Sequence, residues 1–206
     1  MLEGDSGDAL SIDNGHQWLG DVWLIPLKML DDDSRAIQLG SVAGMAVDDD
    51  QQSFVGDPLR MALIGLEEDS RFPYVIESGG EAVGVLTLQA GAASLAGWAD
   101  DESAWLLRGF LIDSRRQGRG LGSMAARAAV DEARKLTARL GGGQVGVVLS
   151  VNERNPAGLA AYAKAGFVDT GRYLGGSAGP QRTMYRELGG PGRQRWLTAP
   201  PNVNYG

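Results

Sequence analysis

The chain has 206 residues, 43% of them hydrophobic, which is enough for one domain with a real core. It has no cysteine, so disulfides, thiolate metal sites and a cysteine nucleophile are excluded. Its net charge is −7 and its pI about 4.7, which argues against a nucleic-acid binder and suits a cationic partner or substrate. No apolar run approaches the ~18 residues of a membrane helix, and the polar, acidic start lacks the pattern of a signal peptide. A cytoplasmic protein with no membrane partner is expected.

In chain order, residues 1–17 are polar and aperiodic and are expected to form a loose arm. The only histidine, His16, stands in that arm and is not read as a ligand. Trp18 to Leu27 reads as a first strand that ends at Pro26. Asp31, Asp32, Asp33 and Ser34 offer caps for a helix through Ala36, Ile37 and Leu39, and this outweighs a metal site. A polar loop around Phe54 follows. Asp57-Pro58 then opens a helix with Leu59, Ala62, Leu63 and Leu66 at helical spacing.

Phe72 to Glu77 and Glu81 to Gln89 read as strands joined by a hairpin at Ser78-Gly79-Gly80. The alternation puts Val83, Val85 and Thr87 on one face and Ala82, Gly84, Leu86 and Leu88 on the other. Gly91 to Asp101 is a small-residue loop, with Asp100, Asp101 and Glu102 at its end. Ala104 to Asp113 is a fourth strand. A basic glycine turn leads into a long helix, Met124 to Leu140, stopped by Gly141-Gly142-Gly143. Val145 to Val151 is a buried-looking strand. Asn155-Pro156 caps a short helix that ends at Gly166, and Phe167 to Tyr173 and Arg182 to Leu188 are the last strands. Residues 189–206 are rich in Pro and Gly and read as a tail. This order predicts an α/β domain over residues 18–188. Its mixed, mostly antiparallel sheet has six to seven strands flanked by helices.

A strand, a glycine turn and a helix make an anion site. The N–H groups that open a helix lack intrahelical acceptors, and the helix dipole adds positive potential. Gly118, Gly120 and Gly122 let backbone approach a phosphate. The dinucleotide fingerprint does not fit, because antiparallel-looking strands precede the turn and Val151 is followed by Asn152 rather than an acid. The Lys-Ser/Thr ending of a P-loop is missing.

Gln117-x-x-Gly120-x-Gly122 resembles the pyrophosphate motif of the GNAT superfamily of N-acetyltransferases, and stands between strand and helix as it does there. Asn155-Pro156-Ala157 followed by Tyr162-Ala163-Lys164-Ala165-Gly166-Phe167 resembles a second segment of that superfamily, in the right order. The resemblance spans about Val22 to Leu188. It implies a splay between the fourth and fifth strands, acetyl-CoA as donor and a small-molecule amine as acceptor; on the residues themselves no metal is expected. Gln117, Gly118, Arg119, Gly120, Leu121, Gly122 and Ser123 would hold the pyrophosphate. Phe110, Leu111 and Ile112 would present backbone to the pantetheine arm, like an added strand. Arg115, Arg116 and Arg119 would reach phosphate or stay solvated. Asn155 would meet the pantetheine or serve only as a cap.

Tyr162 resembles the superfamily's general acid, placed to protonate the leaving thiolate. The base is open. Where some relatives carry a glutamate this chain has Leu106, and Asp100, Asp101 and Glu102 either relay protons or form an exposed acidic loop. The run Trp105 to Asp113, and Phe54-Val55 with Pro73-Tyr74-Val75, resemble bacterial diamine and polyamine acetyltransferases. A polyamine is the leading acceptor, with aminoglycosides and protein amines open. A non-catalytic acyl-CoA-binding protein is the rival class. Homodimers are common in the superfamily.

Overall fold

The computed structural model describes residues 22–47, 56–175 and 179–189. The expected arm, the loop around Phe54 and the tail beyond Gly189 lie outside the described residues. Seven strands form one sheet: β1 (Val22–Pro26), β2 (Arg71–Ser78), β3 (Glu81–Gln89), β4 (Ala104–Ile112), β5 (Gly146–Asn152), β6 (Val168–Tyr173) and β7 (Gln181–Glu187). Their spatial order is β1-β2-β3-β4-β5-β7-β6. All neighbours are antiparallel except β4 and β5. Pro26 closes β1 and still lies opposite Tyr74, as a proline can on an edge strand.

Four helices cover the sheet: α1 (Asp32–Ala43), α2 (Pro58–Glu67), α3 (Leu121–Leu140) and α4 (Pro156–Lys164). Their starts are locally encoded. The side chains of Asp31, Asp57 and Asn155 accept from the backbone N–H three residues on, and Pro58 and Pro156 open α2 and α4. Helix α3 lies across one face over β1, β4 and β5. Its buried stripe is mostly alanine (Ala125, Ala126, Ala129 and Ala133, with Val130 and Leu136), so the helix sits close to the sheet. Trp105 fills the space beneath it. Its ring meets Phe72 edge-on at 5.6 Å, and its Nε1 donates to Thr137 Oγ1 at 2.7 Å. On the opposite face α1 and α2 bury Val42 and Ala62 against Val75, Val85 and Leu111.

Two bulges break the alternation. Between β2 and β3 the register jumps at Ile76/Glu77, and Val83 is left unpaired. Val83 therefore joins Leu86 and Leu88 under α3, while Val85 faces the opposite core with Ala82. This corrects the simple grouping of Val83 with Val85. Between β3 and β4 the pairing runs from Val85↔Leu111 to Thr87↔Arg108, so Gly109 and Phe110 together oppose Leu86. Gly109 has φ +57°, which suits glycine at such a bulge. Helix α3 starts at Leu121, not Met124, so Leu121–Ser123 form its first turn.

A Cβ at Gly84 would press into the carbonyl oxygen of Leu111, where β3 and β4 pair. Gly84→Ala should cost about 1–3 kcal/mol, lowering Tm by roughly 2–4 °C per kcal/mol. Gly40 lies inside α1 with open space around it, so Gly40→Ala should stabilise by about 0.5–1 kcal/mol. Thermal denaturation of both variants checks the pair; equal effects of the same sign would contradict the packing described.

Candidate functional site

Strands β4 and β5 pair over only three positions: Ala104↔Gly146, Trp105↔Val147 and Leu106↔Val148. Beyond Leu106 they part, because β5 stays zipped to β7 along its whole length while β4 stays on β3. A cleft of about 340 Å³ opens there, and the β5-side edge of Leu107–Ile112 has no strand partner. Leu107–Phe110 line it from β4, Ser150–Asn152 from β5, and Asn155 and Tyr162 from α4. Phe110, Leu111 and Ile112 are thus placed along an open strand edge.

At the end of β4 the chain turns sharply, and Asp113 organises the turn. Its buried carboxylate accepts from the N–H of Arg115 at 3.0 Å, from Arg115 Nε at 2.9 Å and from Arg115 Nη2 at 2.5 Å. The hydrogen-bonded Arg115 guanidinium holds this carboxyl below the usual range, against the opposing effect of burial. Arg115 Nη2 also donates to Gly44 O, and Ser114 N–H donates to Ala46 O. The turn is therefore tied to the segment after α1. Arg116 pairs with Glu81. Arg115 and Arg116, open between phosphate and solvent on sequence grounds, are engaged in the protein's own framework. Arg119 is exposed and makes no hydrogen bond or ion pair among the described residues.

Gln117 N–H closes this turn on Ser114 O at 3.4 Å, and its side chain donates to Ile112 O at 3.0 Å. Gly118 and Gly120 follow with φ +76° and +79°, and space is open where a Cβ would stand. Gly120 is the N-cap of α3 and supplies no side-chain acceptor. The N–H groups of Leu121, Gly122 and Ser123 come next and lack intrahelical acceptors, at the positive end of a 20-residue helix. Ser123 Oγ turns back to Gly120 O at 2.9 Å. Gly122 faces Ala161 of α4, so the loop and α4 adjoin. Such a helix start, with no Cβ at Gly118 or Gly120, is an arrangement that can accept an anion.

Tyr162 is half-buried between Phe110 and Phe167, with ring centroids 5.6 Å and 5.9 Å away. Its carbonyl accepts from Phe167 N–H at 3.0 Å, which fixes its place on the last turn of α4. Burial pushes its phenol far above the ordinary value of about 10, so it stays protonated at neutral pH. Such a group can give a proton to a leaving anion. Asn155 Oδ1 caps α4 by accepting from Gly158 N–H at 2.8 Å, and the same residue also lines the cleft.

The acidic loop does not reach the cleft. Asp100 accepts from Ser103 and from Glu102 N–H, and Asp101 accepts from Ser94 N–H. Both act as local turn caps, and no Asp or Glu lines the cleft among the described residues. The sequence reading missed Asn152, Arg71, Thr87 and Arg108 as lining residues. Of these only Arg108 carried a signal, as a charge inside an apolar strand. Among the described residues no group of His, Asp and Glu is placed to hold a metal ion, and no helix is long and apolar enough to cross a membrane.

An open strand edge leading from a helix start to a neutral phenol suits the transfer of a group carried on a long phosphate-bearing arm. The profile of the Acetyltransferase (GNAT) family matches residues 39–167, and the chain belongs to that family. No curated protein matches the chain. Solved structures share its fold. The aminoglycoside acetyltransferase AAC(6')-Ib in complex with coenzyme A and kanamycin superposes with a TM-score of 0.57 at 18% identity, over 82% of this chain and 94% of that one. AAC(6')-Ib with paromomycin and acetyl-CoA gives 0.59 at 19% identity, over 82% and 93%. Spermidine N-acetyltransferase from Vibrio cholerae with CoA and spermine gives 0.56 at 14% identity, over 82% and 96%. At these identities the likeness is one of fold.

The Asp113 contacts carry a pH prediction. A carboxyl whose pKa is lowered on folding contributes stability above its unfolded pKa of about 3.9, and loses that contribution as pH falls through the folded value. Asp113→Asn should cost about 1–3 kcal/mol at pH 7. The gap to the wild type should then shrink below about pH 4. Denaturant melts at pH 7 and pH 3 check this; a gap that stays constant would remove Asp113 from the titrating groups that matter.

Proposed function

We propose that the chain transfers an acetyl group from acetyl-CoA to a small primary amine by direct attack, with residues 18–188 as the catalytic domain. The observation that supports this best is the cleft itself. One continuous strand edge runs from the Gly118–Ser123 loop to the neutral phenol of Tyr162. The loop N–H groups and the exposed Arg119 bind the pyrophosphate. Charge-assisted hydrogen bonds of roughly 1.5–3 kcal/mol each supply donor affinity. The pantetheine arm lies along Phe110, Leu111 and Ile112 as an added strand, with the Nδ2 of Asn155 free to meet its amides. A cytoplasmic setting fits a chain without cysteine.

The amine nitrogen attacks the thioester carbonyl, and a tetrahedral intermediate forms. It collapses as the C–S bond breaks, and Tyr162 gives its proton to the departing thiolate. The amine's own proton leaves through water, since Leu106 stands where a basic side chain would serve and no carboxylate lines the cleft among the described residues. A protonated amine is almost wholly charged at pH 7, so the rate should climb with pH toward the amine's pKa.

Tyr162→Phe keeps the ring contacts and removes only the hydroxyl. It should lower kcat by about 10²–10⁴ while the dissociation constant of acetyl-CoA stays within about twofold. An unchanged kcat would strip Tyr162 of the acid role. Gly120→Val should weaken acetyl-CoA binding at least about tenfold, since it crowds the turn and forces a left-handed φ on a branched residue. Calorimetry with acetyl-CoA reads this directly, and wild-type affinity in that variant would refute the phosphate site.

A further inference from the structure

The cleft has a second wall, on the sheet face away from α3, formed by α2 and by the ends of β2 and β3. Arg71 opens β2, and Arg108 stands in β4 just before the Gly109 bulge; both line this wall. Arg71 is largely buried. Its Nε is 2.8 Å from Glu68 Oε2 but out of line for a hydrogen bond. Arg108 is half-buried and donates from Nη1 to Oε1 of Gln89 at 2.8 Å. Gln89 is neutral and buried. No carboxylate among the described residues comes within ion-pair distance of Arg108. Burial weakens its charged form, and neighbouring Arg71 pushes the same way. Glu68, drawn toward Arg71, acts on Arg108 in the opposite sense and only as the smallest influence.

Arg71 is ion-paired with Glu68, so Arg108 is the half-buried guanidinium of this wall that has no counter-charge among the described residues. A charge held out of water without a partner is costly, and most such groups are paired. The missing partner is expected from a ligand. A guanidinium with free N–H donors fits the two oxygens of a carboxylate in a planar fork. The place of that fork is also informative. Arg108 lies two residues from Phe110, whose ring packs on Tyr162. A carboxylate on Arg108 and an amine attacking near Tyr162 therefore belong to one compact molecule.

We propose that the acceptor carries a carboxylate close to its primary amine, as an amino acid does, and that Arg108 seats this carboxylate with Arg71 adding positive potential. The inference rests on the acetyltransferase reading and names the acceptor class for that same cleft. Arg108 is then a specificity-determining residue, and the bulge at Gly109 is what turns it to the acceptor side while Phe110 faces the donor side.

The test uses the full chain and matched amines: the common amino acids, their carboxamides, their decarboxylated amines, and spermidine. The acids should exceed their carboxamides in kcat/KM by at least about tenfold, the worth of one charge-assisted hydrogen bond. This is against the intrinsic trend, because the amine of a carboxamide is the less basic and so the more neutral at pH 7. Arg108→Gln should abolish the difference, mainly through KM, and Arg108→Lys should keep part of it. Carboxamides or spermidine used as well as the acids, or an Arg108→Gln loss equal for every amine, would overturn the proposal. A readout without turnover separates it from the transferase reading. N-acetylated amino acids and their carboxamides are titrated onto the CoA-loaded protein. Tighter binding of the acids, lost in Arg108→Gln, supports the carboxylate site even if no amine is turned over. Equal binding, or none, overturns it whatever the turnover shows.

Discussion

The molecule depends on a pairing that stops. Strands β4 and β5 share three register positions, and then each follows its other neighbour. A strand edge opened in the middle of a sheet leaves backbone groups without partners, which is ordinarily a cost or an aggregation hazard. Here the opened edge lies in a cleft walled by α2 and α4, out of reach of another sheet. Its unmet hydrogen bonds are what an extended, amide-bearing arm can satisfy. Because β5 is held by β7 at seven positions and β4 by β3, each side of the cleft is hydrogen-bonded to its other neighbour in the sheet.

The glycine turn proposed to hold the pyrophosphate is held from below rather than by its own sequence. Gly118 and Gly120 make the turn possible, but a glycine-rich turn alone has many conformations to lose. Asp113 and Arg115 limit them. The carboxylate ties the turn to itself, and Arg115 ties it to the segment after α1. Arg115 and Arg116 are thus occupied in shaping the loop, which leaves the main-chain N–H donors and Arg119 as the groups available to a ligand. This division makes the turn less sensitive to side-chain change at its surface than the density of arginines suggests.

Local signals were legible and spatial ones were not. The caps at Asp31, Asp57 and Asn155, the hairpin at Gly79-Gly80 and the stop at Gly141 each involve residues a few positions apart, so their chemistry shows in the sequence. The two motifs that carry the family resemblance are local in the same sense. Val83 was misplaced because a bulge shifts the alternation by one residue, and no residue type announces a bulge there. Arg71 and Arg108 were missed because they meet only after β2, β3 and β4 are laid side by side. That β4 and β5 part was legible only through the resemblance, and where they part was not legible, since nothing in the composition of either strand marks the place.

Net charge and the charges of the cleft act over different distances. A chain of charge −7 attracts cations at long range, and this favours a polycationic acceptor as a first expectation. Over a few ångströms the field is set by the nearest groups, because surface charges are screened over about 8–10 Å and buried ones much less. The acids at Asp100 and Asp101 are spent on turns at the surface, while the described lining of the cleft holds Arg71 and Arg108. A zwitterion meets both conditions at once. In the acceptor proposed above, the ammonium group would be drawn by the acidic surface and the carboxylate would be taken up by the basic wall inside. The sign of the whole protein and the sign of its site therefore need not agree, and their opposition is what favours the proposed zwitterionic acceptor over a plain polycation.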